Sequence, residues 1–513
     1  MKRDIAFLPD ATLTNEEAVA LLEQIIDRMQ KEEKKLRPEI EKTNENFQLS
    51  IRNLLHYLIL RSEEIRPLQE YLHERGLSSL SSSESHTFSQ IVQIIRWISP
   101  NADLTPYLSS SICNFNTGID ILKKHTLQLL GDNSNPNLPH IMVTFSTELA
   151  EDRMKIQELL MAGMTVARIN CAHDTPELWE KMIHNLKKAC AKTGKPCKVY
   201  MDLAGPKIRV SEIPGKTEKD RQAGLLLAEG DIIHLTENST KIKSPQRRKD
   251  GTLKRPATVV IQPKGIISMI KKGEHIFFDD GKFEAKVICT EAKSADVEIK
   301  RISTKKPILK AEKGVNLPDS DLMFSSLTKE DLKYLPFICK YADLIGYSFV
   351  STPEDVDALR AQLLKHSPKP PAIILKIERL AAVQNLPALL INGMRDPNLG
   401  VMIARGDLAV EIGFERLSEI QQQILWICEA AHVPVIWATQ VLETMNKTGF
   451  ATRSEISDAS MGIMAECVML NKGPHVVKTV ETLSDILTRL SGHMDKKRYI
   501  HRPLSIARSF LKD

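Results

Sequence analysis

The chain predicts a (β/α)8 barrel with a small β domain inserted in it and a helical region ahead of it. Three observations carry that reading. From His140 onward, short apolar runs of strand length alternate with amphipathic helical stretches, and there are eight such runs. The spacing breaks once, after the third run, where residues 210–316 read as strands and hairpins. Several runs end abruptly in charged residues, and α/β proteins place their chemistry at the carboxyl tips of strands.

Composition fits this architecture. At 513 residues the chain should hold more than one domain, and 42% hydrophobic with only 5% aromatic residues suits a large aliphatic interior. Lys and Arg number 70 against 65 Asp and Glu, so the net charge of +5 gives no argument for nucleic acid. The eight cysteines are scattered without a CxxC pair. This argues against a disulfide framework or a zinc site and fits a reducing compartment. The first residues lack the apolar core of a signal peptide, and no apolar run is long enough to span a membrane. The expectation is a cytoplasmic protein without membrane contact.

Residues 1–135 read as an N-terminal helical extension. Glu16 to Lys35 carries an apolar stripe (Val19, Leu22, Ile25, Ile26, Met29), and Phe47 to Leu60 carries another. The serine cluster from Ser78 to Ser85 is a loop, helical spacing resumes over His86–Trp97 and Ile119–Leu130, and 131–139 is a linker. Lacking chemical motifs, the region is expected to be a separable assembly or partner surface, including for a homo-oligomer. The barrel then occupies 136–209 and 317–495, and 496–513 is a tail. Its eight runs are Ile141–Phe145, Thr165–Ile169, Lys198–Met201, Ala342–Ile345, Ala372–Leu375, Val401–Ala404, Val433–Ala438 and Cys467–Leu470. The helices between them are punctuated by Pro176 at a start, by Gly163 and Gly194 at ends, and by a Thr452–Glu455 capping box. The insertion, 210–316, shows strands at Asp231–Leu235, His275–Phe278 and Lys282–Ile288, with Asp280-Gly281 as a turn. Its segment 241–255 is strongly basic and reads as a solvated hairpin loop, with an anion contact as the alternative.

The residues at the tips form a coherent set. The second run delivers Arg168, Asn170 and His173, and the third delivers Asp202, Lys207 and Arg209. The fourth ends near Ser348, the fifth in Lys376 and Glu378, and the sixth in Arg405, Gly406 and Asp407. The seventh gives Thr439 and the eighth Asn471. Glu378 and Asp407 could share a hard divalent cation, with several cations around them for phosphoryl groups. Neither GxxxxGK[ST] nor GxGxxG occurs, so nucleotide binding would use neither a P-loop nor a Rossmann turn.

Taken together, residues 140–495 resemble the pyruvate kinase family. The resemblance rests on MTVARINCAHD (164–174), MDLAGPKIRV (201–210), FFDDGKFEAKV (277–287), EKGVNLPDSD (312–321), ILKIER (374–379), VMIARGDLAVEI (401–412), PVIWATQVLETM (434–445) and ATRSEISDAS (451–460). It implies the conversion of phosphoenolpyruvate and ADP to pyruvate and ATP. Glu378 and Asp407 would hold Mg²⁺ or Mn²⁺, and Lys376 would neutralise the transferring phosphoryl group and the enolate oxygen. Arg168 would touch the phosphate, and Gly406, Asp407 and Thr439 would take the substrate carboxylate. Asn170, His173, Arg209 and Lys313 would face the nucleotide phosphates, with Asp280 closing over them from the lid.

Departures from the family pattern carry their own expectations. Ala172 and Leu203 stand where the family has a Ser and a Thr around its K⁺, and Lys207 stands for the usual Glu. Beside Asp202, the Lys207 ammonium would substitute for K⁺, which then is not required. After the eighth strand, Asn471-Lys472-Gly473-Pro474 replaces the family's Ser-Gly-Glu-Thr, and Phe145-Ser146-Thr147 follows the first. The family's C-terminal regulatory domain is expected to be absent. A non-catalytic binding protein and a Mg²⁺-dependent lyase or decarboxylase of an oxo-acid are the alternative functions.

Overall fold

The computed structural model describes residues 13–510, apart from 108–111, 215–223, 240–241, 250–252, 321, 323–324, 497 and 501. Asp321 of the 312–321 motif, parts of the basic segment 241–255 and parts of the 496–513 tail therefore lie outside the described residues.

Eight parallel strands close into a barrel in sequence order: β1 (His140–Thr144), β2 (Val166–Asn170), β3 (Lys198–Asp202), β4 (Leu344–Tyr347), β5 (Ala372–Ile377), β6 (Leu399–Ala404), β7 (Val435–Ala438) and β8 (Cys467–Leu470). All eight lie where apolar runs are expected, within one or two residues. The runs are continuous rather than alternating because helices cover the outside while side chains fill the inside, so both faces are dry. The punctuation acts as expected. Pro176 opens Pro176–Thr193, whose end is Gly194 at φ 68°. Thr452 and Glu455 exchange both bonds of a capping box.

Between β3 and β4 the chain builds the inserted domain. A seven-stranded sheet runs in the order Val315–Asn316, His275–Phe278, Phe283–Glu291, Ser294–Ile302, Ile232–Thr236, Ala257–Gln262, Arg209–Glu212. Its edges meet where Arg209 bridges Gly314, so the chain enters and leaves side by side. The domain has its own aliphatic core, including Val210, Ile233, Val259, Phe278, Phe283 and Val297. From the basic segment, Gln246–Arg247 and Leu253–Arg255 pair as a two-stranded ladder.

Among the described residues the N-terminal region forms five α-helices: α1 (Asn15–Lys42), α2 (Gln48–Ser62), α3 (Arg66–Glu74), α4 (Thr87–Ile98) and α5 (Phe115–Leu130). They do not form the separable unit expected. Leu22, Ile26, Leu72 and Ile91 build a core of their own, but Ile40, Phe47, Ile51, Leu54 and Tyr57 belong to the main barrel core. Asn53 Nδ2 donates to Ala430 O at 2.8 Å, and buried His432 bridges Ser50 and the Ser85 carbonyl. The end of α5 plugs the barrel. Leu129 and Leu130, each 1% exposed, pack with Met142, Val166, Tyr200, Leu344, Ile374 and Met402, residues of the barrel interior at and near the strand starts. The reason is that α2 buries residues around most of its circumference, leaving no polar face to separate the two cores. Among the described residues no helix is long and apolar enough to cross a membrane.

Candidate active site

The carboxyl tips of the strands open into one polar cavity of about 170 Å³. Arg168, Asn170, His173, Asp202, Lys207, Arg209, Lys376, Glu378, Asp407 and Thr439 all line it, along with Ser348 and Phe349. Ala172 and Leu203 line it too and offer no side-chain oxygen. Lys313 and Asp280 sit on the lid. Lys313 Nζ pairs with Asp279 at 2.8 Å, and Asp280 holds a positive φ of 54° in the turn between two lid strands.

Lys376 is the centre of the arrangement. It projects from β5 and is 8% exposed, with Nζ donating to Ser348 Oγ at 2.6 Å and lying 2.9 Å from Glu378 Oε1 and 3.2 Å from Asp202 Oδ1. Burial pulls its ammonium pKa down, but Asp202 and Glu378 outweigh burial and hold it above the ordinary lysine value. Asp202, at the tip of β3, is buried, which pushes its carboxyl up. Lys376 and Arg168 overcome that and keep it below its ordinary value. Arg168 from β2 grips Asp202 through Nε at 3.0 Å and through Nη2, and donates from Nη1 to Thr144 Oγ1 at 2.9 Å. Tyr200 completes the floor by donating its hydroxyl to Asp202 Oδ1 at 3.2 Å. Gly346 on β4 is needed for this, since a Cβ there would lie 1.9 Å from that hydroxyl.

Glu378 is raised by burial, with Lys376 opposing the shift and Asp407 adding to it. Its Oε2 accepts from the Phe349 amide at 2.7 Å. Asp407 stands in the first turn of the helix Arg405–Ile412. A buried carboxylate whose charge a neighbouring carboxylate disfavours fits a divalent cation, whose charge would reverse that effect. Among the described residues no group of three or more His, Cys, Asp or Glu side chains could hold a metal. A hard divalent cation that keeps waters and takes substrate oxygens would need only such a pair of carboxylates from the protein, and Glu378 and Asp407 are the candidates.

Two positions, Lys207 and Arg405, correct the sequence reading. Lys207 does not approach Asp202 as expected. Its Nζ lies 2.9 and 3.1 Å from the two Asp407 oxygens, while Asp202 is taken by Arg168 and Lys376. A long flexible side chain can reach either acid, and the site's two other cations had already satisfied Asp202. Arg405 points out of the cavity, bonding Ala438 O (2.9 Å), Thr439 O (2.7 Å) and Asp458 and lying over Trp437. It supports the backbone at Thr439, which has φ 67°, and Thr439 Oγ1 accepts from Gly406 N at 2.8 Å. Arg209 donates to Glu312 O at 2.9 Å at the root of the lid.

Sequence reading missed Thr144, Tyr200 and Glu411. The first two sit within apolar runs, where a lone hydroxyl gives no signal. Glu411, raised to about 7 by burial, accepts from Asn316 Nδ2 at 3.2 Å. Lys472, from the shortened eighth tip, lines an adjoining cavity of about 290 Å³ with Asn471, His173, Asn170 and Arg168. With burial, Lys472 holds the His173 imidazole below its ordinary pKa.

Residues 139–475 match the family model for the pyruvate kinase barrel domain. The chain is similar to a pyruvate kinase of Bacillus licheniformis (31% identity, covering 68% of this chain and 57% of the relative) and to one of Thermococcus litoralis (31%, 68% and 69%). It is also similar to pyruvate kinase 1 of Trypanosoma brucei brucei, at 31% identity over 64% of this chain and 63% of that one. The chain thus spans between 57% and 69% of the length of these relatives. The closed eight-stranded barrel, its inserted lid and this match over most of the chain agree: the chain belongs to the pyruvate kinase family.

Proposed function

We propose that this chain transfers the phosphoryl group of phosphoenolpyruvate to ADP, giving pyruvate and ATP, with Mg²⁺ or Mn²⁺ and without K⁺. The observation that carries the reading is Lys376: a buried ammonium held by three oxygens, with Arg168 beyond Asp202 on one side and the Glu378–Asp407 pair on the other. Phosphoryl transfer breaks the bond between phosphorus and the enol oxygen while an ADP phosphate oxygen attacks. Charge shifts onto the departing enolate, which then takes a proton from solvent on its methylene carbon to become pyruvate, and positioning and electrostatics do most of the work. Lys376 meets that charge. Arg168 orients the phosphate, and the Gly406–Asp407 backbone with Thr439 takes the carboxylate. Asn170, His173, Arg209, Lys313 and Asp280 serve the nucleotide phosphates. A divalent ion at Glu378 and Asp407 would supply charge neutralisation to the phosphoryl oxygens. Lys207 supports the K⁺-independent part of the reading: its ammonium already serves a site carboxylate, and Ala172 and Leu203 give K⁺ no side-chain ligand.

The test is Glu378→Gln and Asp407→Asn. Each should abolish Mg²⁺-dependent formation of pyruvate and weaken Mg²⁺ binding measured by calorimetry. Full activity in both variants would overturn the metal assignment.

A further inference from the structure

The lid joins the barrel through two strands, and each hangs on a different carboxylate of one short helix. Arg405–Ile412 carries Asp407 in its first turn and Glu411 one turn later, so the two carboxylates share a face. Lys207, on the chain entering the lid, holds Asp407 at 2.9 and 3.1 Å. Asn316, in the strand leaving the lid, donates to Glu411 Oε1 at 3.2 Å. Asn316 is 6% exposed and pairs through its backbone with Phe277, just ahead of the turn that carries Asp280. That turn rests beside the same helix, since a Cβ on Gly281 would lie 3.3 Å from Phe414 and 3.6 Å from Val410. Gly314 closes against Lys207, where a Cβ would stand 3.1 Å from Cε.

We propose that Glu411 is a positioning residue: its bond to Asn316 tethers the lid's exit strand to the helix bearing Asp407, and so fixes Asp280 and Lys313 over the cleft. The two tethers differ in kind. Lys207 and a divalent ion would compete for Asp407, so a bound ion would loosen the entry tether. Glu411 is not one of those ligands, so the exit tether persists and keeps the lid in register. The kinetic consequence rests on the phosphotransferase reading: the nucleoside diphosphate, which meets the lid, should depend on Glu411 more than the enol phosphate does.

The experiment uses the full chain and three substitutions, Glu411→Ala, Asn316→Asp and Glu411→Gln. The first readout is amide hydrogen exchange over 275–316 without substrate. Glu411→Ala removes the acceptor, and Asn316→Asp, measured above about pH 8 where Glu411 is ionised, sets two carboxylates against each other. Each should speed lid exchange about fivefold or more, the scale of one lost hydrogen bond, and leave β5 to β8 unchanged. Glu411→Gln keeps a carbonyl acceptor and should retain wild-type protection. The second readout is kinetic: the same two disruptive changes should raise KM for ADP by a larger factor than KM for phosphoenolpyruvate. Unchanged lid exchange in Asn316→Asp, which is nearly isosteric and decides the matter should Glu411→Ala fail to fold, overturns the tether. Equal effects on both KM values overturn its role in nucleotide positioning. An unmodified protein that makes no pyruvate, with lid exchange responding as described, would leave the tether standing and refute the phosphotransferase reading instead.

Discussion

Gly400 and Leu129 offer a direct probe of how the N-terminal helices serve the barrel. Gly400 lies in β6, and a Cβ there would stand 2.7 Å from Leu129 Cδ2 and 2.6 Å from Ile374 Cδ1. Both distances are too short for carbon, so Gly400→Ala must push Leu129 out of the barrel floor or shift the strand. Overpacking of this kind costs about 1–3 kcal/mol, less about 0.4–1 kcal/mol regained from a stiffer unfolded chain. Leu129→Ala empties a site that is 1% exposed, and such truncations cost about 3–5 kcal/mol. If α5 plugs the barrel, the two changes should compensate: in the Leu129→Ala background the clash with Leu129 is gone and the Ile374 terminal methyl can turn into the vacated space. The double variant should then be more stable than the sum of the singles by about 1 kcal/mol or more. Urea unfolding followed by intrinsic fluorescence measures this, since Trp437 and Trp179 are buried in or against the barrel. Additivity to within about 0.5 kcal/mol would refute the plug. The same packing implies that removing residues 1–130 exposes the barrel floor at Met142, Val166 and Ile374 and yields an insoluble product.

Three further outcomes are expected. Lys376→Met should lower kcat on the order of 10²-fold while moving KM far less, because the ammonium meets charge that grows in the transition state; a change confined to KM in steady-state assays would assign it to binding alone. Lys207→Glu should damage activity by setting a second carboxylate against Asp407, and added K⁺ should restore little, because Ala172 and Leu203 supply no oxygen; full rescue by K⁺ would contradict the site described. For pH, burial holds the His432 imidazole down to about 4, below an unfolded value near 6.5. The folded state therefore binds the proton less readily, so this stability is present above about pH 6.5 and lost as pH falls toward 4. At about 1.4 kcal/mol per pH unit the loss is on the order of 3 kcal/mol. His432→Asn, which tolerates the φ of 48° found there, should melt at a lower temperature near neutrality and show a flatter acid limb; an unchanged acid limb would place the titration elsewhere.

The barrel was legible because each of its strands is dry on both faces, which writes a continuous apolar run, and because the helices between carry caps. The inserted domain was legible through its turns, though Ala257–Gln262 and Ser294–Ile302 were passed over amid polar neighbours. The helix Arg66–Glu74 was missed despite Pro67 in its first turn, since nine residues give too short a periodic signal. Residues on strand tips could be collected into one site, because a barrel brings all its carboxyl tips to one face. What each tip residue touches could not be read the same way. Lys207 spans to Asp407 rather than Asp202, and Arg405 turns away to brace Thr439, because such choices are set by which partners are already satisfied in three dimensions. The docking of α5 was hidden for a similar reason: Leu129 and Leu130 read as an ordinary helical stripe, and only the glycine opposite them, Gly400, makes room for them.

On the function proposed above, a Lys207 ammonium, a Lys376 ammonium and two carboxylates would make this cleft a Mg²⁺-dependent, K⁺-independent phosphotransferase. The most direct measurement is pyruvate formation from phosphoenolpyruvate and ADP, titrated with Mg²⁺ in tetramethylammonium buffer and again with K⁺ at the same ionic strength. The expected result is turnover that vanishes without Mg²⁺ and is the same in both buffers. Strong activation by K⁺, or no pyruvate at any Mg²⁺ concentration, would contradict it.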